Sequence, residues 1–204
     1  MPVLITDPVY EEKIRAELEN AAEKRRDEVW DGVLVVPPQA NNEHQRIVMR
    51  LAAVLSAVVD WNGGDQVLPG CNVSDRETDW RFNYRDPDIA VYLSGNPARD
   101  CGTHWCGGPD LLVEVVSPGE DPRQKLDFYA KVNTREVLVV DRAPWVVELY
   151  RLQGGKLEGV GQSDEANPAV LASAVLPLTF RLQSGTPRPV VVVTHTATGQ
   201  TWTA

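Results

Sequence analysis

Apolar and polar positions divide the chain into helical and strand-like stretches. Between Asn41 and Val59, Ile47, Leu51, Val54, Leu55 and Val58 recur at three- and four-residue spacing. That predicts an amphipathic helix capped by Asn41 or Asn42. Pro8 to about Asp27 carries Ile14, Leu18, Ala21 and Ala22 at helical spacing among Glu, Lys and Arg, and reads as an exposed, largely polar helix. Glu28–Val36 reads as a hairpin turning at Asp31-Gly32 and stopped by Pro37 and Pro38. Gln66 to Val73 predicts a strand, Ser74 to Arg85 a polar loop or strand edge, and Ile89 to Leu93 another strand. Ser94 to Gly108 is a long loop. Trp145 to Leu152 and Leu157 to Gln162 pair as a hairpin about Gly154-Gly155. Leu176 to Leu182 predicts a short edge strand, and Val190 to Val193 one more in the tail.

The stretch Gly108–Asp141 organises the rest. Leu111 to Val116 is an apolar run of the kind covered on both faces of a sheet. Alternation puts Leu112, Glu114 and Val116 on one face and Leu111, Val113 and Val115 on the other. Glu114 is the one charge in the run, and its burial requires a cation or a donor. Ser117, Pro118 and Gly119 break the strand. A helix follows, with Asp121 as N-cap, Pro122 at its first position and Gln124 as the capping-box partner. Arg123 and Lys125 lie in its first turns, where the helix dipole disfavours cations. They are either solvated surface residues or answer a local anion, for which Glu114 is a candidate. Val137–Val140 is a second strand, so strand–helix–strand implies a parallel pair with a right-handed crossover.

Composition narrows the setting. A chain of 204 residues, 43% hydrophobic with six Trp, supports one sizeable core or one domain with an appendage. The organisation expected is an N-terminal helical extension at 1–27, a domain at 28–182 and a C-terminal strand and tail at 183–204. No apolar run spans a bilayer, and the N-terminus lacks the basic and apolar regions of a signal peptide, so no membrane association and a cytoplasmic protein are expected. The net charge of −9 argues against a broad basic coat for nucleic acid. It leaves room for a carboxylate site that meets phosphate through a metal. Cys101, His104 and Cys106, with Cys71, have the residue types of a Cys3His zinc site, but not a strong ligand spacing.

The chemistry rests on carboxylates. Asp88 opens one strand, Glu114 lies within the next, and Lys125 follows in the adjoining helix. Two carboxylates from neighbouring strands can converge on Mg²⁺ or Mn²⁺, which retain waters at their other positions. A nearby lysine can orient an attacking water or offset charge on a phosphate. Glu43 and His44 open the second helix, as a dipole-favoured acid and a residue packed against a loop.

The order GVLVVPPQANNEHQRIVMRL, DPDIAVYL, GPDLLVEVVSPGEDPRQKLDFYAKVNTREVLVVD and VELYRLQGGK resembles the Uma2 family of restriction-endonuclease-like proteins, from about Glu28 to about Arg181. The resemblance implies an α/β (α+β) restriction-endonuclease-like fold, a mixed β-sheet flanked by helices in a single domain. It is similar to the PD-(D/E)XK nucleases, whose metal site lies on the central strands. By position Asp88 matches the acid of the Pro-Asp motif and Glu114 the second acid. The lysine usual two residues later would fall at Val116, which cannot serve; in Uma2-like chains it is displaced to the next helix, here Lys125. Glu28 and His44 match family-typical positions, Glu28 to complete the metal shell and His44 to touch water or phosphate. The expectation is thus a Mg²⁺- or Mn²⁺-dependent endonuclease hydrolysing DNA, acting as a homodimer. The alternative is a catalytically inactive nuclease-fold module for binding or dimerisation.

Overall fold

The computed structural model describes residues 3–20 and 27–204. Its centre is a six-stranded mixed sheet in the order Lys156–Asp164, Trp145–Gln153, Glu136–Arg142, Leu111–Val115, Ile89–Tyr92, Gln66–Leu68. Leu111–Val115 and Glu136–Arg142 run parallel, in register from Leu111 opposite Glu136 to Val115 opposite Val140. The remaining neighbours are antiparallel. The α+β architecture expected from the strand–helix–strand stretch is therefore the one observed.

Alternation along Leu111–Val115 decides what each face covers. Leu111, Val113 and Val115 enter the larger core, packed with Ile47, Leu51, Val54 and Leu55 of the Asn42–Val58 helix. Leu112 enters a smaller core with Phe128, Tyr129 and Val132. The sheet thus lies between the Asn42–Val58 helix and the short Leu126–Lys131 helix, and Glu114 points toward the short one.

Two further sheets, of seven and four strands, flank the centre. One joins short strands in the order Val3–Ile5, Val33–Val36, Glu28–Trp30, Tyr84–Arg85, Val73–Ser74, Trp105–Cys106, Arg99–Asp100. It contains the expected Glu28–Val36 hairpin, with Asp31 and Gly32 both at positive φ. The other is Leu171–Ala172, Leu178–Gln183, Val190–His195 and Thr201–Thr203. Through it Val191, Val193 and Ala204 join the larger core.

Several expectations change. The strand expected over Gln66–Val73 breaks after Leu68, because Pro69 cannot donate to a ladder and Gly70 turns at φ 73°. The chain resumes at Val73–Ser74 in a different sheet. Leu178–Gln183 is an inner strand rather than an edge, since Val190–His195 pairs along it. The Ser94–Gly108 loop holds two short strands. The first helix is seen over Pro8–Asn20, and the part expected over 21–26 lies outside the described residues. No described helix is long and apolar enough to cross a membrane.

Candidate active site

Glu114 sits in a strand that burial forces to be apolar, and it is 4% exposed. Its Oε1 accepts two hydrogen bonds, from Lys125 Nζ at 3.1 Å and Tyr129 Oη at 2.5 Å. Among the described residues Oε2 takes no hydrogen bond, and Glu114 lines a cavity of about 490 Å³. The two donors come from one local feature. Asp121 accepts from Arg123 N and starts a 3₁₀ turn over Pro122–Lys125, which runs into the Leu126–Lys131 helix. Lys125 and Tyr129 are four residues apart and so share the face turned to the sheet. The misplaced cation at the helix start therefore does answer Glu114. Arg123 does not; it pairs with Asp121, Asp141 and Glu148.

Lys125 serves more than one acid. Its ammonium also reaches Glu28 Oε1 at 2.9 Å and Glu120 Oε1 at 3.3 Å. Glu28 lies on the Glu28–Trp30 strand, and every oxygen it has is engaged. Oε1 also accepts from Asp86 N at 3.1 Å, and Oε2 accepts from Trp30 Nε1 at 2.7 Å. In this geometry Glu28 fastens Lys125 to the turn that carries Asp88.

Asp88 is held from two sides. Oδ2 accepts from Val115 N at 2.8 Å, which locks it to the central strand. Oδ1 meets His44 Nε2 at 2.9 Å, and His44 Nδ1 meets Ser117 Oγ at 3.3 Å. The tautomer protonated at Nε2 satisfies both contacts, with the Ser117 hydroxyl donating to Nδ1. Asn41 caps the helix by accepting from His44 N, which sets His44 at the first turn, where it can reach across. The structure thus brings Glu28, His44, Asp88, Glu114 and Lys125 to one cavity, with Ser117 and Glu120 beside them. Ser117, Glu120 and Tyr129 were not singled out as site residues in the sequence. The signal available for Tyr129 was its four-residue spacing from Lys125.

Electrostatics follow from one ammonium among four carboxylates. Burial pushes the Glu114 carboxyl up, Asp88, Glu28 and Glu120 push it further, and Lys125 pulls it back, leaving it at about 8. Burial pulls the Lys125 ammonium down, but Glu114, Glu28 and Glu120 together outweigh burial and hold it well above its ordinary value. A charged lysine favours a charged glutamate, but Lys125 is shared among three acids, so its pull on Glu114 falls short of the push from burial and the neighbouring acids. Burial also raises Tyr129 well above its ordinary range, so it remains a donor.

The donor chemistry fits a small divalent cation. Among the described residues no three His, Cys, Asp or Glu side chains are gathered as a metal cage. Mg²⁺ needs less, because one or two carboxylates with waters suffice. Asp88 and Glu114 supply hard oxygens, and the excess negative charge around Glu114 is what a divalent cation would relieve. Glu28, expected to complete the shell, carries two donors on Oε1 and one on Oε2, and each Asp88 oxygen likewise carries a partner.

The zinc reading of Cys101, His104 and Cys106 does not hold. His104 Nε2 bonds Arg76 O at 3.0 Å and Nδ1 bonds Thr103 Oγ1 at 3.1 Å, so neither ring nitrogen is left for a metal. The ring stacks on Trp80 at 4.8 Å, and Cys71, Cys101 and Cys106 are in no disulfide among the described residues.

A family model described as "Uma2: Putative restriction endonuclease" matches residues 12–184. No curated protein matches the chain. Among solved structures, one described as a putative nuclease belonging to DUF820, from Anabaena variabilis ATCC 29413, is similar at 20% identity with a TM-score of 0.56. The match covers 77% of this chain and 87% of that one, and it supports the fold.

Proposed function

The chain belongs to the Uma2 family, and from that membership and the cavity's geometry we propose a metal-dependent endonuclease that hydrolyses phosphodiester bonds of DNA. The observation that carries the reading is Glu114, which is bonded through Oε1 and lines a cavity shared with Asp88 and Lys125. Asp88 and Glu114 would hold Mg²⁺ or Mn²⁺. Such an ion polarises the phosphate and acidifies a bound water. The chain's own groups do the rest. Lys125, kept charged by its acidic neighbours, offsets charge on the phosphate and orients the attacking water. His44 and Val115 N fix both Asp88 oxygens, and Tyr129 fixes Oε1 of Glu114, so that Oε2 is the oxygen presented. Cutting both strands of a duplex favours a two-fold homodimer.

A second reading draws on a specific contact. Lys125 is already bonded to Glu28, Glu114 and Glu120, as in a catalytically silent binding or dimerisation module. Cleavage of supercoiled plasmid with Mg²⁺ or Mn²⁺ separates the two. The nuclease reading expects metal-dependent nicking or linearisation that falls by about 10²–10³-fold in Glu114→Gln, the scale of losing one group that stabilises developing charge. No cutting, or equal cutting by parent and variant, leaves the silent module standing.

A further inference from the structure

An acidic cavity cannot attract a polyanion by itself, so the substrate's backbone must be met by cations elsewhere. We infer that the exposed face of the Asn42–Val58 helix is that surface, with Arg46 and Arg50 each meeting one phosphate of duplex DNA. The inference rests on the DNA-cutting reading and adds the place where the backbone lies.

Four observations support it. First, these arginines are uncommitted. Arg76, Arg99, Arg123, Arg135, Arg142, Arg151 and Arg188 each hold an acidic partner, and Arg85 is buried. Among the described residues Arg46 and Arg50 form no ion pair, although the chain carries 29 acidic residues.

Second, the strip they stand on is free of acid. Its exposed positions are Asn42, Gln45, Arg46, Met49, Arg50, Ala53 and Ala57. The helix's one carboxylate, Glu43, is taken by Arg142 at 3.0 Å and Arg188 at 3.5 Å. Two cations without an opposing acid make a positive strip on a chain of net charge −9.

Third, the strip is continuous with the site. Gln45 lines the cavity, and His44 beside it holds Asp88. Arg46 and Arg50 follow on the same helix, separated by about 6 Å of rise at 1.5 Å per residue. Fourth, the surface between them permits close approach. Met49 is flexible and 69% exposed, and Ala53 is small, so nothing charged stands between the guanidinium groups and a backbone laid along the helix. Planar guanidinium forks suit phosphate oxygens.

The test reads salt dependence, because each neutralised phosphate of a duplex contributes about 0.9 to the slope of log K against log salt. Binding of a labelled DNA duplex to the Glu114→Gln protein, which keeps the strip, is followed by anisotropy across a salt series. Adding Arg46→Ala with Arg50→Ala should lower the slope by about 1.8, for two phosphates. Arg181→Ala, on the four-stranded sheet, serves as the control and should leave it unchanged. An unchanged slope in the double variant, or an equal fall in the control, overturns the surface while leaving plasmid cleavage by the parent intact. Failure of the Glu114→Gln protein to bind duplex at any salt overturns the surface, and absence of plasmid cleavage by the parent is what would carry the DNA reading down with it.

Discussion

Glu114 and Glu136 are buried on adjacent parallel strands, and they are buried in different ways. Glu136 is 0% exposed and fully met. Its Oε1 accepts from Arg151 Nε at 2.8 Å and Ala174 N at 2.9 Å, and Oε2 accepts from Ser173 Oγ at 2.6 Å. Arg151 pairs with no other acid among the described residues. Among the described residues Glu114 has one cation, shared with Glu28 and Glu120, and it is bonded through Oε1 alone beside a cavity. A carboxylate that only ties segments together is surrounded until nothing more can reach it. The carboxylate proposed to hold a metal is instead left short of partners, and burial pushes its pKa up.

The sharpest way to test that contrast is to remove a partner from each. Lys125→Met strips the cation from Glu114 and Glu28, and breaking a buried pair costs about 3–5 kcal/mol. Glu136→Gln leaves Arg151 without its charge partner, at a cost of about 1–3 kcal/mol. Thermal unfolding should show both losses. Added Mn²⁺ should recover much of the loss in Lys125→Met and none in Glu136→Gln. Recovery in both, or in neither, would erase the distinction between the two glutamates.

A smaller effect isolates Tyr129. Tyr129→Phe keeps the ring packed against Phe128 and deletes only the donor to Glu114 Oε1. Loss of an outer hydrogen bond to a metal ligand typically weakens metal binding by about 10–100-fold. Mn²⁺ calorimetry should show that drop with little change in melting temperature. Equal affinity would mean that Lys125 alone orients the carboxylate.

A further effect is read as a slope. Folded Glu114 keeps its proton to about pH 8, whereas its ordinary value is 4.5. Between those values the folded chain holds more protons than the unfolded chain. This contribution to stability is therefore complete below about 4.5 and is lost as pH rises to about 8. Denaturant melts of the metal-free protein across that window should show the decline, and Glu114→Gln should flatten it. An identical slope in both would place the retained proton elsewhere.

The sequence disclosed the parts of this architecture that are local. The strand–turn–helix–strand stretch, its parallel pairing and the Asn41 cap all follow from patterns within a few tens of residues. So did the pairing of Lys125 with Glu114, since a cation at a helix start called for an anion nearby. Contacts between distant segments left less trace. His44 and Asp88 are 44 residues apart, and nothing in either neighbourhood announces the other. Tyr129 looked like one more apolar position on a helix stripe, because a buried tyrosine and a buried leucine repeat alike. The seven-stranded sheet was hardest to see, for strands of two residues, such as Val73–Ser74 and Tyr84–Arg85, are too short to show a period.

That sheet has a bearing on how activity is maintained. Glu28, which clasps both Lys125 and the backbone of Asp86, hangs from it rather than from the central sheet. Regions built from few, short ladders open locally before a protein melts, and their amides exchange first. The lysine's alignment thus depends in part on a region built from short ladders. Warming would disengage the clasp while the central strands stay shut, so competence for hydrolysis would fade at temperatures where the bulk of the chain is still folded.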